Sequence, residues 1–486
     1  MAHVFVIFGG TGDLARKKLY PALFKMHKRG LKFSKVIACA RSPLLHQQFV
    51  EAATSFMQRE RQHPKMQSFI DKLQYLQMDF SDKASFRLLK EKLPEDLETA
   101  VCHLAVPEDT FVPIIQGIAY ALPEKIRMKK FRLLVEKPFG HDLKSARKLN
   151  RLMQKAVGEQ GIYRIDHFLA KEVVENLLIL RFANELFRAV WNKRHIESVQ
   201  VSFFEQGGMG TRGAFYEKTG ALRDFVQSHI MQVIGLLAMD EPKRLDSDDA
   251  VKDCKDAVLR RLGPLGRRDI VFGQYTRGRV GGQEVKGYTS EANVARGSRV
   301  ETFVAMRVFV NTPRWKGVPF YIRTGKRLGH SSGVISIVFK GAGRRNLGKF
   351  SGEPKSNVLQ LVVQPEELFM LHFNLKTPYT RASIRDFSME YCYSCDHINY
   401  RREPYEKIFE NALHREKTRF SRADEVEHAW RWLQAIKVRP AVHHYPAGSH
   451  GPSAAERLLM KHGHKWVEWK EDTSADFLLK TGQSQK

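Results

Sequence analysis

Tyr163-Arg164-Ile165-Asp166-His167-Phe168-Leu169-Ala170-Lys171-Glu172 sets a carboxylate, an imidazole and an ammonium close together. A helical pattern follows, apolar at Val173, Val174, Leu177, Leu178 and Leu180. Asp166 therefore reads as a helix N-cap, with His167 and Lys171 four apart on one face. A lysine in the first turn opposes the helix dipole, and a bound anion would offset that cost. On these residues alone, a solvated lysine beside a capping aspartate stands equal to an anion site. A second helix opens at residues 221–230, apolar at Phe225, Val226 and Ile230, with His229 beside that face. Histidine suits general-base work because its ordinary pKa, about 6.5, lies close to working pH. A lone histidine there also reads as a core residue. As a base it needs a carboxylate to fix its tautomer. Asp224 lies roughly 140° away round a helix of 3.6 residues per turn, so the acid must come from another segment.

The remaining chemistry lies near the N-terminus. Val4-Phe5-Val6-Ile7-Phe8 is a continuous apolar run, as in a strand buried on both faces. It enters Gly9-Gly10-Thr11-Gly12-Asp13-Leu14-Ala15, a Gly-x-x-Gly-x-x-Ala variant of the dinucleotide fingerprint. Gly9 allows the tight turn, Gly12 lets backbone approach a pyrophosphate, and Ala15 keeps the next helix near the strand. The N–H groups of that helix would face the phosphates. A second strand, residues 35–40, ends in Arg41-Ser42 with no acid before Glu51. A cation and a hydroxyl there suit a 2′-phosphate, so the cofactor expected is NADP over NAD. Two further strands, 100–106 and 131–135, fit the same sheet. The second runs into Glu136-Lys137-Pro138-Phe139-Gly140, where the proline argues for a fixed bend, open to cis, that aims Lys137 into the ligand crevice. A surface ion pair of Glu136 with Lys137 is the plainer alternative.

These residues must be positioned by a chain of 486 residues that is 43% hydrophobic and 27% charged, a mix that builds packed cores. At roughly 150 residues per domain, two to three domains are expected. No apolar stretch is long enough for a membrane span, and no leader or address signal is visible. Five cysteines suit a reducing compartment, so a cytoplasmic location is expected. Cys392 and Cys395 form one C-x-x-C without a second ligand pair, which reads as ordinary thiols and predicts no metal site. The net charge of +27 is the odd feature. It allows a nucleic-acid partner, but the basic residues come in short groups such as Arg16-Lys17-Lys18, Lys129-Lys130, Arg344-Arg345 and Arg401-Arg402. A basic face on a protein that handles anionic ligands is the favoured reading. Residues 198–203, 302–310 and 358–363 read as strands of a second domain, and helical patterns recur near 405–435 and 454–462.

Taken in order, the glycine loop, Glu136-Lys137-Pro138-Phe139-Gly140, the Arg164–Glu172 stretch and Arg223-Asp224 with His229 resemble the glucose-6-phosphate dehydrogenase family. Later pieces agree: 315–320, Arg323-Thr324-Gly325-Lys326, 363–366, Tyr405-Glu406-Lys407 and Ala429-Trp430-Arg431. The likeness covers nearly the whole chain. It implies an α/β plus α+β fold: an N-terminal Rossmann domain, 1–166, binding NADP, and a domain of mainly antiparallel sheet, 167–486, for substrate binding and dimerisation. It implies oxidation of glucose 6-phosphate at C1 to the lactone, with His229 as base and Asp166 as the carboxylate that orients it. His167 and Lys171 then match the phosphate ligands. By the same resemblance Lys137 matches a lysine that touches substrate and cofactor, Glu205 and Asp224 match acids that hold sugar hydroxyls, and Lys326 and Gln364 match further substrate contacts. Gly9, Gly10, Thr11, Gly12, Asp13, Leu14, Arg41, Ser42 and Lys137 match the cofactor site. A homodimer or homotetramer is expected, with no membrane partner.

The chain departs from that pattern in places. Phe168 stands where the family usually has tyrosine, Ala170 replaces a common glycine, and Phe111 lies where a cofactor-lining tyrosine is common. Beyond Lys326 the run Gly329-His330-Ser331-Ser332 lacks a basic residue often found there, and His450 replaces an arginine of members with a second, structural NADP. Three other readings compete. A glucose–fructose oxidoreductase type would not carry the Asp166–Lys171 phosphate motif. A nucleic-acid-binding protein with a degenerate nucleotide fold is opposed by the intact site residues. A catalytically dead regulator would be expected to lack His229 or Lys137.

Overall fold

The computed structural model describes residues 2–341, 347, 350–393, 403–438 and 441–469 of the 486. By their contacts they form two units. One comprises Met1–Asn184, Arg223–Arg261 and His397–Lys437, and the other Glu185–Leu222, Leu262–Asp396 and Val438–Lys486. The chain thus leaves the first unit and returns to it twice.

The first unit is built on a sheet of strands β1 (Ala2–Phe8), β2 (Lys35–Ala40), β3 (Leu73–Gln77), β4 (Leu97–Leu104), β5 (Phe131–Val135), β6 (Ile162–Ile165) and β17 (Phe420–Ser421). Their spatial order is β17-β6-β5-β4-β1-β2-β3. All neighbours are parallel except β17, which runs antiparallel to β6. β1, β2, β4 and β5 are almost wholly buried, as strands covered by helices on both faces must be. From β3 to β6 the order is that of a doubly wound dinucleotide-binding fold, and strand order reverses between β1 and β4, where such folds hold their ligand. The core joins remote segments. Phe5 of β1 meets Phe409, from the returning helix Pro404–His414, edge to face at 5.1 Å.

The second unit contains β7 (Ile196–Glu205), β8 (Ile270–Thr276), β9 (Gly278–Val280), β10 (Gln283–Val285), β11 (Phe303–Phe309), β12 (Pro319–Lys326), β13 (Ser332–Phe339), β14 (Val358–Gln364), β15 (Leu368–Lys376), β16 (Ile384–Cys392) and β18 (Val442–Pro446). Nine of them form one sheet, β16-β15-β14-β13-β7-β12-β11-β8-β18, and β9 pairs with β10. Only β7–β12 and β8–β18 are parallel among its pairings. The two units therefore hold the expected Rossmann sheet and the expected large, mainly antiparallel sheet. The helices anticipated near 405–435 and 454–462 are Pro404–His414, Ala423–Ala435 and Ser453–Met460.

No helix among the described residues is long and apolar enough to cross a membrane. Cys39 and Cys102 are buried free thiols whose pKa burial pushes up. Cys392, read as an ordinary thiol, is instead disulfide-bonded, and Cys395 lies outside the described residues.

Candidate active site

The glycine turn follows β1 directly. Gly9 has φ +84°, and a Cβ there would sit 2.3 Å from the Ala105 carbonyl oxygen, so only glycine lets β1 pass the end of β4 this closely. Gly9 and Gly10 both donate to Cys39 O, at 2.8 and 3.1 Å. A Cβ on Gly12 would sit 3.1 Å from Gly9 O, a tight contact that favours glycine in this turn. The helix begins at Asp13, so its first N–H groups stand at the same turn. These features fit a pyrophosphate. The helix expected here is π-wound over Ala15–Leu19, with Ala15 fully buried against the sheet. Asp13 is exposed and pairs with Arg16 at 2.6 Å and Lys17 at 2.9 Å, which hold its carboxyl below the usual range, the Lys17 hydrogen bond foremost. Thr11 and Leu14 complete the turn. Arg41 and Ser42 follow β2 and are both exposed. Asp79, beyond β3, feels the Arg41 charge, a minor cause beside its hydrogen bonds from Ser81 in holding its carboxyl below the usual range.

Lys137 follows β5, and the Lys137–Pro138 bond is cis. Its Nζ donates to the Asp224 carbonyl at 3.0 Å and lies 3.4 Å from Asp224 Oδ1. The proposed surface ion pair of Glu136 with Lys137 is absent. Glu136 Oε1 instead accepts from Tyr405 OH at 2.8 Å and lies 3.3 Å from His103 Nε2. Burial pushes the Glu136 pKa up, but His103 and Tyr405 outweigh it and hold the carboxyl ionised. Trp430 Nε1 donates to Phe139 O at 3.1 Å. The Lys137 turn is thus clamped by two aromatic donors from the returning segment.

Asp166 and His229 are brought together across 63 residues. His229 Nδ1 lies 2.6 Å from Asp166 Oδ1, with both side chains almost completely buried. The same oxygen accepts from Phe168 N at 3.0 Å. Burial opposes ionisation of Asp166, but His229, the hydrogen bond and His167 hold its carboxyl far below the ordinary range. Desolvation lowers the His229 pKa and exceeds the lift from Asp166. At neutral pH the pair is a carboxylate with a neutral imidazole. An ionised Asp166 can only accept, so the assigned tautomer carries its proton on Nδ1 and leaves Nε2 free to take one. Phe168 lies against the His229 ring at 4.2 Å, and Phe225 meets it at 5.1 Å. These rings keep water from the imidazole. Sequence reasoning counted Phe168 merely as a lost tyrosine and did not single out Phe225.

Two expectations of local structure are corrected. Residues 166–170 form a turn, and the helix starts at Glu172 with Lys171 as its N-cap. Asp166 therefore caps no helix, because its carboxylate is engaged by His229 and Phe168 N. The segment Leu222–Ile230 is a π-helix, with i→i+5 bonding. Within it Asp224 faces Lys137, and the acid that meets His229 comes from another segment, as expected. His167 sits 4.6 Å ring to ring from His229. Desolvation first, then His229, lowers its pKa to about 4, so the expected cation is a neutral imidazole in the free protein.

Of the residues expected in the second unit, Glu205 ends β7 and Lys326 ends β12, opposite each other in the parallel pair, with Nζ to Oε2 at 2.6 Å. Gln364 ends β14, with β13 between it and β7. Where a further cation was missing after Lys326, Ser331 Oγ accepts from Gln206 N at 3.0 Å.

Comparison with known proteins gives the same picture. The family described as "Glucose-6-phosphate dehydrogenase, NAD binding domain" matches residues 6–176, and "Glucose-6-phosphate dehydrogenase, C-terminal domain" matches 178–467. A glucose-6-phosphate 1-dehydrogenase of Chlamydia muridarum is 36% identical over 492 residues, 95% of this chain and 96% of that protein. That of Bacillus subtilis is 35% identical over 484 residues, 95% and 98% of the two chains. A solved glucose-6-phosphate dehydrogenase in complex with its substrate glucose 6-phosphate superposes with TM-score 0.86 at 31% identity, covering 96% of this chain and 98% of that one. The enzyme from Mycobacterium avium gives 0.84 at 32%, covering 96% and 99%. By these matches, which agree with its Rossmann sheet, glycine turn and buried His–Asp pair, the chain belongs to the glucose-6-phosphate dehydrogenase family.

Proposed function

We propose that the chain oxidises glucose 6-phosphate at C1 to 6-phosphogluconolactone, with NADP preferred to NAD. The observation that carries this reading is the buried Asp166–His229 pair at 2.6 Å, one proton short of an imidazolium. His229 Nε2 takes the proton from the anomeric hydroxyl as the C1–O1 double bond forms. Asp166 then stabilises the imidazolium, an interaction stronger in the transition state than at rest. A bound nicotinamide dinucleotide supplies the acceptor for the hydride that leaves C1.

Lys137 and Asp224, joined at 3.0 Å, are assigned to hold the sugar and the cofactor's reactive end. His167 and Lys171 are assigned to the phosphate, where a dianion would raise the His167 pKa and recruit a proton. Arg41 and Ser42 are assigned to the 2′-phosphate, because no acid stands at the end of β2 to hold a ribose hydroxyl. The turn from Gly9 to Leu14 is assigned to the pyrophosphate. Glu205, Lys326 and Gln364 rest on the family motifs alone as substrate contacts. A division at 166, a cytoplasmic location and a homodimeric or homotetrameric state are proposed with it.

The test is absorbance at the reduced-nicotinamide band with glucose 6-phosphate or glucose, and NADP or NAD. Turnover of glucose 6-phosphate with NADP is expected to exceed each other combination. Faster turnover of unphosphorylated glucose would move the reading to a glucose–fructose oxidoreductase type. Absence of turnover with either cofactor would refute it.

A further inference from the structure

The net charge of +27 exceeds the few cations assigned to the active site, and the fold gives part of the rest a shape. The helix Leu143–Val157 carries Lys144, Arg147, Lys148, Arg151 and Lys155 and no acid. In sequence these residues look scattered. Helical winding puts Lys144, Lys148, Arg151 and Lys155 on one stripe about 16 Å long, at 1.5 Å rise per residue. All four are exposed, and none makes an ion pair among the described residues, whereas Arg147 is joined to Glu427 at 3.2 Å. Like charges three and four apart weaken a helix, so the row is maintained against a cost that an anion would remove.

A groove of about 720 Å³ runs beside this stripe. Its other wall includes Val112 and Gln116 of the helix Phe111–Ala121. One turn further along that face stands Tyr120, 52% exposed, its hydroxyl accepting from Arg87 at 2.7 Å and the Arg87 guanidinium 5.5 Å from its ring. A row of unpaired cations, a groove and an exposed aromatic ring one turn beyond its lining residue Gln116 match what a single nucleic-acid strand needs: charge along the backbone and a platform for a base. A membrane surface would want large apolar side chains exposed along the stripe, and Leu143 and Leu152 are only half-exposed.

We propose that the face formed by the helices Leu143–Val157 and Phe111–Ala121 is a docking surface for a single-stranded nucleic acid, separate from the dehydrogenase site. The row grips phosphodiester groups and Tyr120 stacks one base. The site is sequence-tolerant, because none of these side chains reads base edges.

The experiment is fluorescence anisotropy of a labelled oligo-dT of about a dozen nucleotides with the full chain across a salt series. Parallel titrations use duplex DNA and vesicles of phosphatidylglycerol in phosphatidylcholine. Four phosphate contacts predict a slope of log K against log salt of about −3. The combined variant Lys144→Glu, Lys148→Glu, Arg151→Glu, Lys155→Glu is expected to bind the strand at least ~100-fold more weakly, and Tyr120→Ala at least ~5-fold more weakly. Glucose 6-phosphate turnover of both variants, unchanged within about 2-fold, shows that they are folded. No salt-dependent binding by wild type would overturn the proposal. So would unchanged binding by the folded fourfold variant, or capture by the anionic vesicles in preference to the strand.

Discussion

Asp166→Asn isolates the charge of the dyad with little change in shape. Asp166 Oδ1 accepts from both His229 and Phe168 N, while Oδ2 is buried without a partner. The Phe168 N–H therefore keeps the amide oxygen of an asparagine where Oδ1 was and turns its NH2 towards the Oδ2 side. His229 then retains its tautomer and loses only the ionic part of its hydrogen bond. A hydrogen bond to a charged group contributes about 1.5–3 kcal/mol against about 1 for a neutral one. The difference corresponds to a kcat loss of roughly 3- to 30-fold. A tautomer reversed by the opposite amide orientation would cost nearer ~10⁴-fold, the figure known for a serine-protease triad. The buried NH2 should also lower stability by about 1–3 kcal/mol. Asp166 raises the His229 pKa, so its removal lowers it further. Since the neutral imidazole is the active form, the acid limb of kcat/KM, already expected below pH 6.5, should move to lower pH in the variant. Initial rates across pH, with a denaturant titration, read all three. A variant with wild-type kcat, or an acid limb shifted upward, would refute the assigned role.

Other expectations follow from the same geometry. Arg41→Ala should raise KM for NADP by about 10- to 100-fold and change that for NAD by less than about 2-fold, by steady-state kinetics, if the 2′-phosphate binds there. Equal effects on both cofactors would remove Arg41 from specificity. Binding of glucose 6-phosphate near pH 6 should take up protons, because His167 is neutral in the free protein, its pKa lowered to about 4, and a dianion beside it favours the charged form. Calorimetry in two buffers of different ionisation enthalpy measures this, and identical heats would contradict it. Gly9→Ala places a methyl 2.3 Å from Ala105 O at φ +84°, so cofactor affinity, by fluorescence titration, should fall at least ~10-fold, and an unchanged value would show that the turn does not hold the pyrophosphate.

Much of the first unit was legible because its signals are local. The apolar run of β1, the glycine spacing and the Arg41 ending lie within a few turns of chain. What closes that unit was not legible. Phe409, Tyr405 and Trp430 reach Phe5, Glu136 and Phe139 from more than 260 residues away, and no periodicity announces such contacts. Tyr405 and Trp430 stood in the family-like motifs, but nothing local gave them a task. The His229 helix shows a different limit. Its apolar face was readable, but its π-winding was not, because an apolar face does not tell i→i+5 from i→i+4 bonding. That an acid had to come from elsewhere was a sound inference. That it was Asp166 came from resemblance, not from spacing. The helix start at Glu172 was missed because an aspartate before an apolar run reads as a cap, and only the three-dimensional partner shows it occupied.

The proposed reaction turns on His229 removing the proton as the C1–H bond breaks. Single-turnover formation of reduced nicotinamide from glucose 6-phosphate and NADP, wild type beside His229→Asn, tests it without interference from product release. The chemical step is expected to be at least ~10²-fold slower in the variant, with substrate affinity little changed. A variant that forms reduced cofactor at the wild-type rate would contradict it.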